Sequence, residues 1–188
     1  MRRDERKAPR LGLAVAISGL ILVAVVVGYT LLMPAQSFFI GVGAKAPDFE
    51  LPIVDAQGIS QNELALSTLK GKIVFLEFMA SWCKACQEMA PAVESLRLVY
   101  EPKGVVFLSV AGSQRGATPA TTAEFIRSYD TNWTYLYDSE NVVFSGYGVE
   151  ETPTFFILDE KGMVASRVSG VTPTQSFVQA LDAVLPAE

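Results

Sequence analysis

Two cysteines stand three positions apart in Trp82-Cys83-Lys84-Ala85-Cys86, and they are the only cysteines of the 188-residue chain. A thiol pair at this spacing can form a local disulfide that opens and closes with little backbone movement. The same C-x-x-C spacing also occurs in metal half-sites and in inert structural bridges. Composition narrows the choice. The chain has no histidine, which excludes Ser-His-Asp and Cys-His nucleophile pairs and any histidine-ligated metal. Two thiolates cannot close a four-thiolate zinc site, so a metal would need ligands from a second molecule. Covalent haem attachment requires His directly after the second cysteine, where this chain has Gln87. The expectation is therefore no cofactor and no metal.

The elements on either side give the pair its chemistry. Residues 72–79 form a nearly continuous apolar run, the pattern of a strand buried on both faces. Residues 86–100 place Met89, Val93, Leu96 and then Val99 or Tyr100 at helical spacing. Cys83 thus falls where a buried strand ends and a helix begins. Free N–H groups and the macrodipole there favour a thiolate, and Lys84 adds a positive charge as a pKa-tuning neighbour. The Cys83 pKa is expected clearly below the free value of ~8.5, at ~6–7. Beside a strand–helix–strand pattern, the pair reads as a redox dithiol.

Two further residues are candidates. Glu77 lies six residues before Cys83, inside the apolar run. It reads either as a solvent-facing strand position or as a buried carboxylate behind the dithiol, its pKa raised by desolvation. In the second case a partly protonated Glu77 can take the proton from Cys86 when that thiol attacks. Trp82 reads as a packing lid that shields the pair.

Further along, residues 104–110 suggest a second buried strand. A helix follows over 119–129, with Thr118 as N-cap and Pro119 at the first helical position. A short strand at 134–137 and a short helix at 139–145 come next. Strands at 154–158 and 163–168 are joined by the turn Asp159-Glu160-Lys161-Gly162. Thr172-Pro173-Thr174-Gln175 has the form of a capping box opening a last helix to about residue 185. This order predicts an α/β fold: a central mixed sheet flanked by helices, with parallel members and one antiparallel edge pair. The 111–117 loop, with two glycines and Arg115, either borders the site or merely connects.

Charge is unevenly spread. Residues 1–10 carry five basic and two acidic side chains, a net +3, whereas the remainder carries ten basic and eighteen acidic, a net −8. An acidic body argues against nucleic acid as a partner. Residues 11–33 contain no charge at all. At ~1.5 Å per residue this run is about 35 Å long, enough to cross a hydrocarbon core. It is also long for a cleaved signal, whose apolar region is usually about 7–15 residues. The expected organisation is a basic cytoplasmic tail at 1–10, a transmembrane anchor in the bilayer at 11–33, a linker at 34–43 and a domain at 44–188. A basic flank stays in the cytoplasm, which places the domain on the extracytoplasmic side of the cell membrane.

Several motifs, in order and spacing, agree with a known family. They are Ala46-Pro47-Asp48-Phe49, Leu69-Lys70-Gly71-Lys72, Phe78-Met79-Ala80-Ser81-Trp82-Cys83, Pro91 five residues after Cys86, and Tyr147-Gly148-Val149 followed by Thr152-Pro153-Thr154. On these the chain resembles the thioredoxin superfamily, and within it the membrane-anchored TlpA/ResA-like thiol–disulfide oxidoreductases. Lys84-Ala85 departs from the commoner Gly-Pro or acidic-Pro pair. The resemblance implies a thioredoxin-like fold with a redox-active Cys83–Cys86 disulfide. It also implies a cis bond before Pro153 that sets the Thr152 backbone against the sulfurs, ready to pair with an extended substrate. The implied partners are extracytoplasmic proteins bearing thiols or disulfides, with an unidentified electron donor, and the implied direction is reduction. Two alternatives remain: a peroxiredoxin-like peroxidase, sharing the Ala46-Pro47-Asp48-Phe49 opening, and a copper-delivery protein using the two thiolates.

Overall fold

A computed structural model of the chain describes residues 19–20, 22–25, 28 and 40–186. The chain divides into two compact units, Met1–Ser37 and Phe38–Glu188. In the first, the described residues are helical, and the anchor expected at 11–33 otherwise lies outside the described residues, as does the 1–10 tail. Among the described residues no helix is long and apolar enough to cross a membrane.

The second unit is built on one seven-stranded sheet: β1 (Glu50–Asp55), β2 (Gly58–Ala65), β3 (Val74–Met79), β4 (Val106–Gly112), β5 (Thr134–Asp138), β6 (Thr154–Leu158) and β7 (Val164–Ser169). The helices are α1 (Lys84–Tyr100), α2 (Pro119–Tyr129), α3 (Val142–Gly146) and α4 (Thr174–Asp182). Strand order is β2-β1-β5-β4-β3-β6-β7. The three central strands β5, β4 and β3 run parallel, and the flanks run antiparallel.

β3 is buried along its whole length, and alternation sends its side chains to two cores. Val74, Leu76 and Phe78 join Leu108, Val110, Leu136 and Phe156 on the face that Phe144 and Tyr147 cover. On the opposite face Phe75 packs with Met89, Val93 and Leu96 of α1 and with Phe177 and Leu181 of α4. Glu77 falls between Phe75 and Met79 on that second face, under α1.

Three expectations need correction. The sheet has two antiparallel flanks, not one, because the β1–β2 hairpin escaped the apolar-run criterion. β2 is an edge strand, partly or fully exposed along its length, so nothing required it to be apolar. The last helix has no capping box: Pro173 is its N-cap with no side-chain cap bond, and the Thr172 hydroxyl donates back to Gly170 O at 3.1 Å. The body also begins before residue 44. Gly43 N–H bonds to Val164 O at 2.8 Å, and Arg167 Nη1 donates to Ile40 O at 2.9 Å.

Candidate active site

Cys83 follows the C-terminal end of β3 and is the N-cap of α1, with extended backbone (φ −73, ψ 112). Its sulfur occupies the place a serine or aspartate oxygen takes in an ordinary cap, accepting the Cys86 N–H at 3.1 Å. That donor and the helix dipole both favour negative charge on Cys83 once it is reduced. Opposing them, the Thr152 carbonyl oxygen lies 3.3 Å from the same sulfur and can accept from it only as a thiol.

Cys83 and Cys86 are joined as a disulfide, with Cα atoms 5.2 Å apart. Cys83 keeps 3% of its surface exposed and Cys86 none. An incoming sulfur therefore reaches Cys83 first. The Thr152–Pro153 bond is cis, and this loop brings Thr152 O onto Cys83. Lys84 is exposed on the first turn of α1, where water screens its charge.

Trp82 is 39% exposed and is held on one side by a neighbouring loop. Its Nε1–H donates to Gln114 O at 2.7 Å, and the Arg115 guanidinium sits 4.4 Å from its ring centre. The 111–117 segment thus borders the site. A Cβ at Gly112 would lie 2.3 Å from Gln114 Oε1 and 2.8 Å from Asn141 Oδ1, so a larger residue there would push these two side chains aside. Arg115 itself takes a left-handed backbone (φ 51). On one side of the indole a groove of about 430 Å³ runs between Arg115 and the Glu150-Glu151-Thr152 segment. On the other, a groove of about 310 Å³ is walled by Gln87, Thr121 and Phe125. Ser81 anchors the approach to the dithiol, pairing with the Thr121 hydroxyl at 2.8 Å and accepting Gln87 Nε2–H on its carbonyl at 3.2 Å.

Glu77 is 3% exposed and accepts a hydrogen bond from the Ser109 hydroxyl. The Ser109 oxygen in turn accepts Trp133 Nε1–H at 2.7 Å. Burial pushes the Glu77 carboxyl up to about 7, with the Ser109 bond working the other way. Burial also raises the Tyr135 phenol on β5, and the charge of Glu77 adds to it.

Sequence reasoning did not single out Ser81, Gln87, Ser109, Gln114, Thr121 or Trp133. These are ordinary polar and aromatic residues, and most of their partners are distant in sequence, so the fold and not local spacing brings them together. A separate cleft of about 230 Å³ with Lys45, Lys70, Lys72 and Lys161 on its walls lies at the other end of β3, remote from the dithiol. Among the described residues no group of three or more Cys, Asp or Glu side chains is placed to hold a metal ion.

A model of the AhpC/TSA family matches residues 42–167. The thiol-disulfide oxidoreductase ResA of Geobacillus thermodenitrificans is 31% identical over 186 residues, spanning 96% of this chain and 99% of the relative. The thioredoxin-like protein YneN of Bacillus subtilis is 32% identical over 168 residues, spanning 86% and 94%. A candidate thiol:disulfide interchange protein DsbE from Chlorobium tepidum superposes with a TM-score of 0.68 at 29% identity, over 78% of this chain and 99% of that one. The MTB protein dsbF, solved in mixed oxidised and reduced forms, gives 0.62 at 26% identity, over 72% and 94%.

Proposed function

Because the chain belongs to the AhpC/TSA family and is a thiol–disulfide oxidoreductase of the ResA type, we propose that it is an anchored, extracytoplasmic reductase of protein disulfides. The observation that carries this reading is the Cys83–Cys86 pair at the start of α1 with the Thr152 backbone against its outer sulfur. The 23-residue uncharged run behind a basic flank supports an anchor at 11–33, with the tail 1–10 inside and the body outside.

The reaction proceeds in two displacements. In the reduced enzyme the Cys83 thiolate attacks one sulfur of a substrate disulfide. A Cys83–substrate bond forms, and the other substrate sulfur leaves as a thiolate. Cys86 then gives its proton to the Glu77 carboxylate and attacks Cys83. The intramolecular disulfide closes and the second substrate sulfur leaves. Two electrons have passed from the dithiol to the substrate. A partner dithiol must return the enzyme to its reduced state.

Thr152 and Pro153 serve to dock an extended substrate segment, and Trp82 walls the groove. Exposed Lys84 favours the thiolate only weakly. The family match also favours a peroxidase, but Ala80 stands three residues before Cys83, where peroxidatic cysteines usually have Thr. Peroxide consumption by the dithiothreitol-reduced chain is expected to be no faster than the background thiol reaction.

Direction is tested by the equilibrium reduction potential of the pair, read by mass shift of alkylated thiols across dithiothreitol buffers. A value near ~−270 mV fits a reductase, and a value near ~−120 mV an oxidant, which would refute the proposed direction.

A further inference from the structure

The region beneath α1 holds a hydrogen-bond chain with a fixed polarity. Trp133 Nε1–H can only donate, and it donates to the Ser109 oxygen at 2.7 Å. The single Ser109 hydroxyl proton points at Glu77 Oε2, and the Tyr135 phenol lies within reach of the same hydroxyl. Ser109 and Glu77 face each other across the parallel β3–β4 register, and Ser109 pairs with Tyr135 across β4–β5. Ser109 is completely buried, so water does not compete for its proton.

Resting on the reading of Glu77 as the proton acceptor, we propose that Ser109 and Trp133 are positioning residues for the resolving step. Their one-way hydrogen-bond chain holds the Glu77 side chain ionisable beneath the dithiol and directs the incoming proton to its other oxygen. A neutral Glu77 keeps the Ser109 bond on Oε2, so Oε1 is the oxygen that takes the proton from Cys86. Without Ser109 the buried carboxylate has no hydrogen bond to offset its desolvation, and it stays protonated until higher pH.

The groups around Glu77 leave room for this control. From β5 the Tyr135 phenol is neutral at working pH, raised by burial. On α1, Glu94 adds to the rise of the Tyr135 phenol and is paired with Arg97 at 2.8 Å. β6 presents Phe155 in register with Glu77. From α2 and α4, Phe125, Ile126, Phe177 and Leu181 are apolar, and the buried Thr122 hydroxyl donates to Thr118 O at 3.0 Å. Of the cations on α1, Arg97 is engaged by Glu94 and Glu101 and Lys84 is exposed to solvent.

The test is the Glu77 carboxyl titration in the full, dithiothreitol-reduced chain, followed by carbon-13 NMR, beside the pH profile of mixed-disulfide resolution. Ser109→Ala should move both midpoints upward by about one to two pH units, the range expected for losing one hydrogen bond to a buried charge. Trp133→Phe leaves Ser109 in place but frees its proton to turn elsewhere. It should move both midpoints the same way by less, and it keeps the test open should Ser109→Ala not fold. Midpoints unchanged from the native chain in the folded variants overturn the inference, even if Glu77→Gln slows resolution and so upholds the role of Glu77. A Glu77→Gln chain that resolves at the native rate overturns that role and this inference with it.

Discussion

At the scale of single residues, the site is marked by unequal exposure of its two sulfur residues and by one buried acid. Cys83 caps a helix and keeps 3% of its surface exposed while Cys86 keeps none, which suits Cys83 to attack and Cys86 to resolution. Glu77 has a cost that stability measurements can see. Its carboxyl is raised from 4.5 to about 7 in the folded chain. Between those values the folded state holds a proton that the unfolded state has lost. Stability from this group is complete below pH 4.5 and drains away as pH rises through 7, in total about 3 kcal/mol. Glu77→Gln stays neutral throughout. Urea unfolding at pH 4.5 and pH 8 should therefore show the native chain losing about 3 kcal/mol more than Glu77→Gln between the two. Equal losses would mean the carboxyl is not desolvated as the structure has it.

At the scale of elements, short pieces hold the site in place. The buried Asp138 carboxylate at the end of β5 accepts three backbone N–H groups of α3, from Val142, Val143 and Phe144, at 3.0, 2.9 and 3.0 Å. Asn141, at the start of that helix, bonds Ser113 in both directions, and so ties α3 to the loop that carries Gln114 and Arg115. Asp138→Ala strips the cap from a five-residue helix that cannot hold itself. A loss of about 2–3 kcal/mol is expected in urea unfolding, together with a change in Trp82 fluorescence as the loop loosens. A loss under about 0.5 kcal/mol would show that α3 does not depend on it.

What the sequence disclosed at this scale follows from where patterning is strict. β3 and α1 were legible because both are buried against neighbours on a clear period. The α2 start was legible because Thr118 and Pro119 are local signals, and Thr118 and Thr121 do exchange cap bonds. β1 and β2 were not, since an edge hairpin faces water and tolerates charge. Trp133 and Ser109 were invisible as a pair because 24 residues separate them. The role of Arg115 over Trp82 depends on a left-handed loop residue that no spacing rule announces.

At the scale of the whole molecule, the body carries its acidic charge apart from a basic, apolar N-terminal stretch. Ile40 and Gly43 already bond to β7. With the full chain tagged at both ends and expressed in bacteria, protease added to spheroplasts should remove the C-terminal tag and spare the N-terminal one. Protection of the C-terminal tag until the membrane is permeabilised would place the body inside and refute the proposed location.

Disulfide exchange at this site requires Cys83 to form, and Cys86 to release, a bond to another protein's sulfur. Mass spectrometry of the reduced Cys86→Ser chain mixed with a disulfide-bonded protein such as insulin examines this directly. The prediction is a stable adduct through Cys83 in Cys86→Ser, none in Cys83→Ser, and only transient adduct in the native chain. Absence of an adduct in Cys86→Ser, or an equal yield in Cys83→Ser, would contradict disulfide exchange at this site.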